Sequence, residues 1–224
     1  MKVSFAHNVY DRFKTLIETI GVERQYFPNC DEFIASNSFV NDLSFWSLSN
    51  IKHKYFTETP QHKIGCTNGM MLTCNMALQN DFDVLIFSHD DVRLRPDYME
   101  LVNSHINDVF TGKYDLIYRN PSWLGEDYAM MEIVYMNRKA VETLFSEITL
   151  LKDESEIPRY VYNDNKTNTH SNSISPEHWF YKRVAATDLN ANVIKFGSTV
   201  KDDEEICRGM GFYHINNGTR GWKS

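Results

Sequence analysis

No apolar run in this chain of 224 residues approaches the roughly 18 residues that a membrane-spanning helix needs, so no integral membrane segment is expected. Cysteine is sparse. Cys30, Cys66, Cys74 and Cys207 make no CxxC pair and no zinc-like spacing, and they read as reduced thiols in a cytoplasmic protein. Basic residues are in deficit, 23 against 30 acidic, for a net charge of −7. That balance argues against a broad nucleic-acid-coating surface, which needs clustered Lys and Arg. No internal repeat and no low-complexity tract is visible. The opening residues, Met1 to His7, are too short a stretch and too polar for a signal peptide and read as a first strand.

What is present suits one domain with a full core. Aromatics are plentiful, with 12 Tyr, 14 Phe and 4 Trp, most of them expected in the core. Val3–Ala6 reads as a strand. Asn8 then caps a helix with Phe13, Leu16, Ile17 and Ile20 inward, ended by Gly21. Glu32–Ala35 is a second strand, and a weak one is expected near Lys54–Phe56. Thr67 and Asn68 cap a helix to about Gln79, with Met71, Cys74 and Leu78 on one face. Strand 84–88 follows, then a helix opened by Pro96. Strands at 115–118 and 130–136 come next, with a loop between them carrying Trp123, Glu126, Asp127 and Tyr128. Asn137 caps a further helix. Residues 151–174 are polar and read as one long loop, of the kind that forms lids. Ser175-Pro176-Glu177 opens another helix, and Val193–Phe196 and Phe212–Ile215 are late strands. Strand and helix alternate through the first half, and the second half is looser and mixed. The fold class expected is α/β, with a mostly parallel central sheet flanked by helices.

The stretch of most chemical interest is Asp83 to Asp97. The apolar run Val84–Phe87 ends abruptly in His89, Asp90 and Asp91. Three such side chains at the end of a buried strand are costly to hold together without a positive partner. In α/β proteins this end of the strand is also where ligands bind. A divalent cation carrying an anionic ligand is the expectation. Hard cations take carboxylate oxygens, and an imidazole suits Mn²⁺ better than Mg²⁺. Asp91 is the firmest candidate ligand and His89 the next. A turn of acids capping the following helix is the competing explanation.

Gly65–Leu78, with Gly65, Asn68, Gly69 and Asn75, followed by Asp83–Pro96, resembles the central stretch of glycosyltransferases with the GT-A fold. His89-Asp90-Asp91 stands where those enzymes carry an Asp-x-Asp-type motif. The run His214 to Trp222 is similar to the His-x-x-Gly-x-x-Lys-Pro-Trp ending of some retaining members, with Arg220 in place of Lys, Gly221 in place of Pro, and the first glycine one place late. The resemblance implies a single domain over 1–224, with a nucleotide-sugar half at 1–118 and an acceptor half at 119–224. It implies a nucleotide-sugar donor, most simply UDP-linked, a Mn²⁺ or Mg²⁺ ion, and a glycan or other hydroxyl acceptor. A DNA acceptor gains no support from the charge.

Residue by residue, the resemblance makes Asp91, His89 and His214 metal ligands, and Asp90 a contact to donor hydroxyls. Arg220 and Trp222 fall at the diphosphate. Tyr10, Asp11 and Arg12 fall where the base, ribose and phosphate are held, and Lys63 and Asn68 are further donor contacts. Glu177 is the candidate general base toward the acceptor, although the helix dipole alone favours an acid in a first turn. The His214 and Glu177 elements point to opposite stereochemical outcomes, so inversion and retention both stay open. Two rivals are a nucleotidyltransferase, disfavoured because His7-Asn8-Val9-Tyr10 holds no glycine, and a binding module without turnover.

Overall fold

The computed structural model describes residues 1–9, 12–36, 48–55, 62–121, 127–164, 169–196 and 209–215. In chain order these form β1 (Val3–Val9), α1 (Phe13–Tyr26), β2 (Glu32–Ser36), β3 (Ile51–Tyr55), α2 (His62–Leu78), β4 (Val84–His89), β5 (Val92–Leu94), α3 (Met99–Phe110), β6 (Leu116–Pro121), β7 (Met130–Asn137), α4 (Arg138–Phe145), β8 (Arg159–Asp164), β9 (Thr169–Ile174), α5 (Pro176–Ala185), β10 (Ala191–Phe196) and β11 (Phe212–His214). Short 3₁₀ turns lie at Pro96–Tyr98 and Glu154–Glu156.

Seven strands make one sheet in the order β10-β6-β7-β4-β1-β2-β3. Only β7 runs against the others. The expected mostly parallel α/β sheet is therefore present. Parallel strands covered on both faces need apolar side chains on both. In β4, Leu85 and Phe87 enter a core shared with α2, α4 and α5. Val84 and Ile86 enter a second core with Val102, Ile106 and Val109 of α3 and with Val92, Leu94 and Phe212. Leu16 and Ile20 of α1 pack on Val9 and Ile34. Two predicted caps hold: Asn137 accepts from Ala140 N at 2.8 Å, and Ser175 Oγ accepts from His178 N at 3.1 Å, with Pro176 opening α5.

Five local expectations are corrected. Gly21 lies inside α1, which runs on to Tyr26 because Glu23 beyond it is drawn into the interior. Asn8 belongs to β1 and is not the N-cap of α1, which is Arg12; pairing with β2 and β4 keeps it extended. Helix α2 begins at His62, so Thr67 and Asn68 sit within it. Thr67 Oγ1 donates back to the Lys63 carbonyl at 3.0 Å, and the Asn68 amide exchanges two 2.9 Å bonds with the backbone of Leu151. Residues 151–174 are not one loop, since β8 and β9 pair there as an antiparallel hairpin. The weak strand expected at 54–56 is β3, displaced toward Ile51.

Candidate functional site

Strands β1 and β4 run side by side in parallel and end together, Asn8 opposite His89. The chain leaves β4 through Asp90 and Asp91, then turns into β5. Asp90 N donates to the Asn8 carbonyl at 3.2 Å, which pins the turn to the end of β1. The two carboxylate residues are nearly sealed, at 7% and 3% exposure. Arg12, entering α1, sets its Nη1 3.3 Å from Asp91 Oδ2. A guanidinium here offsets part of the cost of holding Asp91 ionised out of water.

Helix α2 forms the adjoining wall. A Cβ on Gly69 would stand 2.1 Å from Asn8 Oδ1, so any larger residue there would have to displace the Asn8 side chain at the end of β1. Asn8 Nδ2 in turn donates to the Cys66 carbonyl at 3.4 Å. Cys66 Sγ then lies 3.5 Å from His89 Nε2. Burial alone lowers the affinity of His89 for its proton. The Cys66 sulfur, with the Glu132 and Asp90 carboxylates, outweighs burial and carries the imidazole up to about 9.

The late strand β11 arrives from the other end of the chain. It pairs antiparallel with β5, placing the His214 backbone opposite Val92, and Ile215 N donates to the Asp91 carbonyl at 2.9 Å. The two segments singled out in sequence are thus neighbours. Strand β5 itself went unforeseen, because three residues carry no readable period. Several contacts hold the incoming segment. His105 Nε2 bonds the Gly209 carbonyl at 2.9 Å, the Tyr135 hydroxyl donates to Met210 O at 2.5 Å, and Arg95 N donates to Gly211 O at 2.9 Å.

On the far side, Glu177 opens α5 and accepts from Ser175 Oγ at 2.9 Å. Burial, and then the Glu177 charge, push the Tyr128 phenol well up, with Glu132 adding to it. Next to it, His178 Nδ1 bonds the Asp127 carbonyl at 2.8 Å. The Glu132 charge raises both His89 and Tyr128, and Glu132 is ion-paired with the fully buried Arg119. Sequence reading missed Arg119 and Glu132. Their only trace was a single charged residue within each of two largely apolar strands.

The structure therefore brings together His89, Asp90, Asp91, Arg12 and the His214 backbone, while Glu177 lies at the start of α5 with Ser175 and Tyr128. Lys63 is in the first turn of α2, partly exposed. Asn68 is buried, its amide bonded to Leu151. Tyr10, Asp11, Trp123, Glu126, Arg220 and Trp222 lie outside the described residues, as does Cys207. His89, Asp90 and Asp91 do not converge on one point as three ligand atoms. Among the described residues only His7, Glu23 and Glu32 do so. An ion at the strand end would thus take one or two ligands from this turn, with the rest of its shell from elsewhere in the chain and from a ligand's phosphates, a pattern that suits Mg²⁺ or Mn²⁺.

No protein-family model matches the chain, and no curated protein matches it in sequence. Solved structures of similar fold do. A glycosyltransferase involved in glycosylating the major capsid of PBCV-1 is 12% identical, with a TM-score of 0.56 over 97% of this chain and 96% of that one. Residues 1–349 of S. aureus TarS are 12% identical, with a TM-score of 0.51 over 87% of this chain. The mannosyltransferase PcManGT from Pyrobaculum calidifontis, in complex with GDP-Man and Mn²⁺, is 7% identical, with a TM-score of 0.51 over 89% of this chain. The chain spans 58% of the length of each of the last two. The fold is GT-A-like, an α/β layer structure with a mostly parallel sheet. No helix among the described residues is long and apolar enough to cross a membrane.

Proposed function

We propose that the chain is a glycosyltransferase that moves a sugar from a nucleoside diphosphate donor to an acceptor hydroxyl. One observation carries the reading: β11 pairs with β5, so the His214 segment lies against the His89-Asp90-Asp91 turn at the carboxyl end of β4. A donor diphosphate would be bound at that turn, between the ends of β1 and β4, with Arg12 beside Asp91 offering a phosphate its planar donor fork. Asp91, His89 and His214 are the residues that would hold Mn²⁺ or Mg²⁺, and the nearly buried carboxylates fit such an ion. When bound, the ion neutralises the charge that builds on a departing diphosphate. PcManGT, of like fold, was solved with GDP-Man and Mn²⁺, which favours Mn²⁺ and keeps a guanine donor in view beside the UDP donor that the sequence resemblance implies.

Asp90 would orient the donor through its hydroxyls. Tyr10, Asp11, Lys63, Asn68, Arg220 and Trp222 are carried as donor contacts. Glu177 would accept the proton of the acceptor hydroxyl. Its bond from Ser175 and its neighbour Tyr128 set the carboxylate's direction. The nucleotide-sugar half would be 1–118 and the acceptor half 119–224, with glycan the simplest acceptor class.

The test is incubation with Mn²⁺ and a panel of UDP and GDP sugars, following nucleoside diphosphate release. Slow, Mn²⁺-dependent release by the wild type, abolished in Asp91→Ala, is expected. Pyrophosphate release would identify a nucleotidyltransferase. Neither binding nor release would sink the proposal. Turnover in Asp91→Ala at the wild-type rate would remove Asp91 from the metal site.

A further inference from the structure

A second cluster lies below the strand ends, sealed between β1, α1 and β2. His7, Glu23 and Glu32 are each fully buried. His7 Nε2 stands 3.2 Å from Glu23 Oε2 and 3.2 Å from Glu32 Oε2. One ligand atom from each of the three lies within 4.8 Å of the others. On its other side the ring is fixed by Ser88, whose Oγ lies 2.9 Å from His7 Nδ1.

A proton on Nε2 points in one direction. Here it serves Glu32, which makes the hydrogen bond. Both oxygens of Glu23 are left with no hydrogen-bond partner among the described residues, in a side chain with no exposure at all. Arg24 reaches Glu23 only through its charge, since its Nε approaches Glu32 Oε1, at 3.6 Å. Two buried carboxylates thus converge on one imidazole at equal distance, and a cation is favoured at the point between them, whether a proton or a metal ion. Ligands of a tetrahedral ion at about 2.0–2.1 Å stand about 3.3 Å apart, close to the 3.2 Å from His7 to each carboxylate. One imidazole with two carboxylates is a donor set for Zn²⁺ rather than for Mg²⁺ or Ca²⁺, which take oxygen shells. A ligating imidazole usually has its other nitrogen held by an acceptor, the place Ser88 occupies.

We propose that His7, Glu23 and Glu32 form a structural Zn²⁺ site, separate from the donor site. Its ion ties β1, α1 and β2 together beneath the end of β1. Cys30, whose Sγ donates to Glu32 Oε1 at 3.1 Å, flanks it. The site is closed to solvent, so the ion enters as the chain folds.

The experiment is expression in zinc-supplemented medium, exhaustive dialysis against metal-free buffer, and zinc analysis by inductively coupled plasma mass spectrometry. The wild type should retain about one zinc per chain, as a closed structural site does. Asp91→Asn should retain it equally, and Glu23→Gln should retain under about a tenth. Wild-type protein refolded with EDTA should melt several degrees below protein refolded with Zn²⁺, a comparison that needs no variant. Three results would overturn the proposal. One is a wild type with no retained zinc and the same melting temperature under both refolding conditions, which would mean that protons alone bridge the cluster. The others are a Glu23→Gln variant with full zinc, and an Asp91→Asn variant with none.

Discussion

At the residue scale, a missing atom matters as much as any side chain. Gly69 faces Asn8 across the contact of α2 with β1, and a methyl group there would overlap the Asn8 amide. Gly69→Ala should destabilise the protein by about 1–3 kcal/mol, the usual cost of overpacking. The denaturant midpoint would show it, and adding Asn8→Ala should recover part of the loss if that amide is the obstacle. Loss of a like amount in the double variant would point to backbone rather than to Asn8. Glu132 matters through charge. Glu132→Gln should weaken the hold on buried Arg119 and lower the proton affinity of His89, since its carboxylate helps to raise that ring. An NMR titration of the imidazole, comparing wild type and variant, checks the direction.

At the element scale, β11 is a strand of three residues whose place depends on anchors outside itself. Tyr135→Phe removes the hydroxyl that holds Met210 O and should cost about 1 kcal/mol. Because the same segment carries His214 to Asp91, the apparent affinity for the metal–donor pair should fall as well. An unchanged donor KM in that variant would separate the anchor from the site. A second junction gathers at Asp115. Burial raises its carboxyl, but Lys139, the Asn190 backbone and Asn137 outweigh burial and hold it below the ordinary value of 3.8. A depressed carboxyl adds stability above that value and loses it as pH falls through the folded-state value. Asp115→Asn should therefore lower stability at neutral pH and flatten the decline below about pH 4. Urea midpoints measured against pH read this directly.

At the scale of the whole molecule, any ligand bridging β4, β5, β11 and α1 stabilises all of them at once. Mn²⁺ with a nucleoside diphosphate at a hundredfold its dissociation constant should add about 2.7 kcal/mol. In a chain of this length that is about 5–10 °C in Tm. Asp91→Ala should remove the shift, which differential scanning fluorimetry would show.

The two-sided apolar pattern of Val84–Phe87, the Asn137 cap and the Ser175-Pro176 opening of α5 were legible along the chain, because each is local. Together they determined an α/β sheet. The polar 151–174 hairpin was not legible, because backbone pairing made it, with no apolar period to announce it. Nor were β5 and the Arg119–Glu132 pair. What only the tertiary structure decided is which distant residues meet. Parallel pairing sets Asn8 beside His89, β11 returns His214 to Asp91 across more than a hundred residues, and α1 and β2 close Glu23 and Glu32 around His7. Local spacing encodes which face a side chain takes. Sheet order and strand return, which follow from burial of the whole core, encode its neighbours.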